Sequence, residues 1–80
     1  MRKGTIKAAD RERMAAAKEQ ALAREDVERL EQRRAELVAR PVLNEARKLR
    51  FIRRLDAELE EARKRLFRAE ANVEALRHGV

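Results

Sequence analysis

Apolar residues recur through the C-terminal half of this chain at alternating intervals of three and four. The series runs Ile52, Leu55, Leu59, Ala62, Leu66, Ala69, Val73, Leu76 and Val80 without a gap. Such spacing puts one narrow stripe on a helix and defines a heptad seam sustained for four repeats. Upstream, Val42, Ala46 and Leu49 lead into Ile52 with one interval out of step, which predicts a register slip near the start of this helix. The N-terminal half carries a weaker stripe: Ile6, Ala9, Arg13, Ala16, Gln20, Ala23, Val27, Leu30, Arg34 and Leu37. Alanine fills one of its two seam positions in the early half, so two helices can approach closely there but bury little area.

Between the stripes stands Pro41, the only proline. It lacks a backbone donor and clashes with the preceding turn, at a cost of about 3 kcal/mol inside a helix, and it steers Arg40 away from helical geometry. Thr5 or Asp10 is a candidate cap for the first helix and Asn44 for the second, because each side chain can accept from an exposed N–H. Gly79 supplies a stop signal at the far end. The predicted organisation is a basic tail over residues 1–9, helix one over 10–39, a turn or kink over 40–44 and helix two over 45–78, all in one domain. Arms of matched length joined by a short break predict an all-α antiparallel two-helix coiled-coil hairpin. One long helix kinked at Pro41 in a parallel dimer is the competing arrangement.

Helix two is the richer in large apolar residues. Isolated two-helix units have too small a core to be secure in water. The surplus predicts completion by self-association or by a partner protein, through a face comprising Phe51, Leu55, Leu59, Leu66, Phe67 and Val73.

Composition fits this picture and removes several alternatives. Charged residues make up 45% of the chain and apolar residues 44%, too many of the latter for a disordered polyampholyte, and Gly occurs only twice. The absence of cysteine excludes a disulfide framework and a thiolate zinc site. No apolar run reaches the length of a signal sequence or a membrane span, so a cytoplasmic location is expected.

Charge is distributed unevenly. Residues 33–54 hold eight basic side chains and two acids and carry +6, the whole net charge of the protein. If Pro41 marks a turn, this charge is focused at one tip of a rod. Within it, Arg40 has Glu36, Lys48 has Glu45 and Arg53 has Asp56 at pairing distance along the helix. Arg47 and Arg50 have no acid three or four residues away, and share a stripe with Arg54. Guanidinium groups without local partners suit carboxylates or phosphates, which Arg can grip with two bonds. The candidate anion-binding or acidic-partner residues are therefore Arg47, Arg50, Arg54, Arg40 and Arg34. Outside the tip, Glu25 with Arg29, Glu60 with Lys64 and Glu61 with Arg65 read as helix-surface pairs.

Nothing in the chain points to catalysis. His78, the only histidine, sits at a helix end and is expected to cap carbonyls. Adjacent Glu60 and Glu61 point to different sides, and no phosphate loop, nucleophile–base pair, metal-ligand spacing or cofactor motif is present.

In general shape residues 10–78 resemble two kinds of helical hairpin. One is the Arg/Glu-rich antiparallel coiled-coil stalks of type III secretion and flagellar export. The other is the small plasmid-encoded RNA-binding hairpins that dimerise into four-helix bundles. The resemblance lies in composition and architecture and carries over no functional residue. The leading expectation is a non-enzymatic helical adaptor or regulator. It would bind a protein partner with an acidic surface through helix two and the basic tip, as a homodimer or hetero-complex without membrane contact. A nucleic-acid-binding hairpin, for structured RNA more than DNA, is the second. A small coiled-coil stalk or chaperone-like component of secretion or phage assembly is the third.

Overall fold

A computed structural model describes residues 8–41 and 43–78. The elements are two long helices, α1 (Ala8–Ala39) and α2 (Glu45–His78). At 1.5 Å per residue they form rods of about 48 and 51 Å. They pack side by side, and they run antiparallel: Arg13 Nε donates to Leu76 O at 3.4 Å near one end, and Arg34 binds Asp56 nearer the turn. The single kinked helix is thereby excluded, and the basic segment lies at a hairpin tip.

Burial follows the seam. In α2 the buried or half-buried positions are Lys48, Ile52, Leu55, Leu59, Ala62, Leu66, Ala69, Val73 and Leu76. In α1 the seam positions Ala16, Gln20, Ala23, Val27, Leu30, Arg34 and Leu37 are covered, whereas Ala9 and Arg13 are exposed. Ile6, Val42 and Val80 lie outside the described residues. The cross-bonds set Ala16 level with Val73, Ala23 with Leu66, Val27 with Ala62 and Leu30 with Leu59. Toward the base most layers thus combine one alanine with one larger side chain, and toward the tip both members are large. Among the described residues only six are buried, three of them alanines: Ala16, Ala23, Val27, Leu55, Leu59 and Ala69.

The expected register slip does not occur. The three–four pattern continues upstream from Ile52 to Lys48, four residues before it, while Leu49 and Ala46 turn out to the surface. A lysine can hold a seam position when its stem packs and its ammonium finds acceptors. Lys48 Nζ does so, donating to Val38 O at 2.9 Å and Arg40 O at 3.0 Å. These carbonyls belong to the end of α1, which has no basic residue in its own last turn. A cation there satisfies orphan acceptors and opposes the negative end of the helix dipole. The sequence-based pairing of Lys48 with Glu45 is therefore corrected, since the turn brings Lys48 a better partner ten residues back.

The rest of the turn follows its local chemistry. Arg40 N donates to Glu36 O at 3.0 Å, and Pro41, with no N–H, cannot extend the ladder. Asn44 caps α2: its Oδ1 accepts from Arg47 N at 3.0 Å, and its carbonyl accepts from Lys48 N at 3.1 Å. At the other end Asp10 is not a cap. It lies inside the first turn of α1, two residues past its start, and meets Arg13 at 3.5 Å. Thr5 lies outside the described residues. His78 does not cap carbonyls either, as its Nε2 lies 2.7 Å from Glu74 Oε1.

Two stability outcomes follow. Leu59, 2% exposed, should cost about 2–5 kcal/mol when replaced by alanine, whereas Leu22→Ala on the surface should cost under about 0.5 kcal/mol. Urea unfolding followed by circular dichroism distinguishes them, and equal losses would contradict the seam. In the turn, Asn44→Ala should cost about 0.5–2 kcal/mol by loss of the cap, read in the same assay as a lower midpoint with an unchanged slope.

Candidate functional site at the basic tip

A two-helix ribbon has two open faces. One is marked by the bridges Arg24–Glu70 at 3.8 Å and Arg63–Glu31 at 3.1 Å. The other is marked by Arg65, which reaches Glu19 at 2.9 Å and Asp26 at 3.7 Å. Residues at whole-heptad offsets from these markers share their side. Phe51, two heptads before Arg65, lies on the second face, and Val38, one heptad after Glu31, lies on the first.

Basic side chains in the arms are mostly satisfied. Of ten described outside residues 33–54, seven are ion-paired: Arg13, Arg24, Arg29, Arg63, Lys64, Arg65 and Arg77. Several choose partners other than the expected ones. Arg29 takes Asp26 and not Glu25, and Glu61 takes Lys64 while Arg65 crosses to α1. Glu60 does pair with Lys64, at 3.7 Å.

At the tip the proportion reverses. Arg34 is the one ion-paired cation described in residues 33–54, and its partner is Asp56. Its pKa is raised, first by the hydrogen bond it donates to Asp56 and then by the charge of that carboxylate. Arg34 is therefore engaged, and it takes the acid expected to serve Arg53. Lys48 is committed to the α1 carbonyls. Glu36 accepts from Gln32 at 3.2 Å and makes no ion pair with Arg40. Among the described residues, the side chains of Arg33, Arg40, Arg47, Arg50, Arg53 and Arg54 have neither an ion pair nor a hydrogen bond.

Three of these six converge. Arg33, Arg40 and Arg54 line a shallow cleft of about 480 Å³ with Leu37, Phe51 and Leu55, and Glu36 and Glu58 complete its wall. Phe51 is 48% exposed, so its ring is a large apolar surface open to solvent among cations. Arg47 lies one turn before Phe51 on the same side, Arg50 lies farther round the back of α2, and Arg53 lies toward the opposite face. The structure thus brings Arg40 and Arg54 together and adds Arg33, which the sequence reading left out. A signal for it existed: Arg33 and Arg40 are one heptad apart and both flank the seam.

The proposed apolar face divides in the same way. Leu55 and Leu59 are buried within the hairpin, and Leu66 and Val73 are half-buried in its seam. Phe51 and Phe67 remain exposed, on opposite faces, with Phe67 beside Asp56, Glu60 and Arg63.

The described residues contain no group of three or more His, Cys, Asp or Glu placed to hold a metal ion, and no helix long and apolar enough to cross a membrane. Fold and site together define a two-helix antiparallel hairpin with a cationic, partly aromatic tip. No protein-family model, curated protein or solved structure matches the chain.

Proposed function

We propose that this hairpin is a non-enzymatic adaptor or regulator that docks its tip on an acidic surface of a partner protein. The observation that carries this reading is the exposed Phe51 ring set among Arg33, Arg40 and Arg54, none of which has a side-chain partner among the described residues. Free guanidinium groups offer paired donors to carboxylates. An aromatic ring beside them can anchor an apolar side chain, and binding hot spots are enriched in Arg and in the aromatic residues Trp and Tyr. Glu36 and Glu58 in the same wall would repel a uniformly anionic ligand. The complement is therefore a segment of mixed chemistry, with acids around a large apolar residue, more than a bare phosphate chain. A lone phenylalanine is also a poor stacking platform for single strands.

Fluorescence anisotropy at low and moderate salt tests the reading with three labelled probes: a Glu-rich peptide carrying a central leucine, a structured RNA hairpin and a DNA duplex. The peptide should bind best. Arg40→Gln and Arg54→Gln should each weaken it about tenfold, the effect of losing one charge-assisted bond, and Phe51→Ser should weaken it by a similar factor. Tighter RNA binding that is indifferent to Phe51 and loses affinity evenly with each arginine removed would assign the tip to nucleic acid instead.

A further inference from the structure

The face opposite the Phe51 cleft is unaccounted for by this reading. Val38, Leu49 and Phe67 are large apolar residues exposed on or beside it, Phe67 to 72%. Unlike the tip cleft, this face has its charges largely joined: Arg24 to Glu70, Arg63 to Glu31 and Arg34 to Asp56. Covering it would strand few ions. Glu28 and Arg53, unpaired among the described residues and each three residues before a marker of this face, have opposite signs.

The molecule as a whole is under-covered. It exposes 6816 Å², where a compact monomer of its 9.3 kDa exposes about 5,000 Å². The excess, about 1,800 Å² per chain, is more than the roughly 800 Å² that each partner of a standard protein–protein interface removes from water. The six buried among the described residues include no large side chain below 2% exposure, so the hairpin alone is a thin ribbon with an unfinished core.

We infer that a second copy of the chain covers the Val38, Leu49 and Phe67 face, pairing two hairpins antiparallel into a four-helix assembly. Charge selects the orientation. A parallel pairing would bring two segments of +6 together, and an antiparallel one sends them to opposite ends. Leu49 and Phe67 lie on the same helix, at equal distances on either side of Glu58. An antiparallel twofold there sets Phe67 of each copy against Leu49 of the other. Both Phe51 clefts stay on the outside, so the assembly presents two equivalent tips about a rod's length apart.

Sedimentation equilibrium across low to high micromolar concentration tests this. A reversible dimer is expected. Phe67→Glu and the milder Phe67→Ala should raise its dissociation constant, the former by about tenfold or more. Leu22→Ser, on the opposite face, should leave it within about twofold. Circular dichroism at the highest concentration separates lost association from lost folding. A native chain that stays monomeric and fully helical overturns the inference. So does a dimer that Leu22→Ser weakens and neither Phe67 variant affects. Failure of the peptide to bind the tip bears on the cleft and leaves this result unchanged.

Discussion

The hairpin depends on one unbroken interval pattern, three then four, that runs along α2 from Lys48 to Leu76. The seam fixes which side of each helix faces the other, and so which residues are left for the two open faces. Its outermost member is a lysine and not an apolar residue. Lys48 holds the register at the turn and also ties the end of α1 to the start of α2 through two carbonyls. A one-position shift would put Leu49 in the seam, turn Lys48 outward and leave those carbonyls to water.

That constraint determines the fate of the basic tip. The acids are concentrated in the arms, and the antiparallel register brings arm cations within reach of arm acids on the other helix. Glu31, Glu19 and Glu70 are used this way by Arg63, Arg65 and Arg24. Around the turn, Asp56 goes to Arg34 and Glu36 to Gln32. The remaining arginines are left over by geometry as well as by composition. Such a surface repels its own copies at the tip.

Most of the fold was legible in the sequence, because it rests on short-range regularities. The seam of α2, the hairpin turn at Pro41 and the Asn44 cap depend on residues a few positions apart. The site was less legible. Long charged side chains reach across to the facing helix, and a linear reading sees only neighbours three or four residues away. Arg34, a candidate anion-binding residue by sequence, is therefore paired in the structure, and Lys48, expected to meet Glu45, caps α1. Leu55 and Leu59, expected by sequence on a partner face, are among the residues that hold the hairpin together. The opposite placement of Phe51 and Phe67 follows from heptad positions on either side of the seam, a distinction that needs the register and not just the stripe.

The most direct test of this account observes the guanidinium groups themselves. Arginine side-chain NMR resolves the Nε–H signals, whose exchange with water slows when the group is held in a bond. Arg13, Arg34 and Arg65, whose Nε–H groups donate to Leu76 O, Asp56 and Glu19, should exchange slowly, and Arg33, Arg40, Arg47, Arg50, Arg53 and Arg54 quickly. On titration with the Glu-rich peptide, the signals of Arg33, Arg40 and Arg54 should shift first. Uniform exchange across all nine, or shifts centred on Arg63 and Arg65 with the tip unmoved, would contradict it.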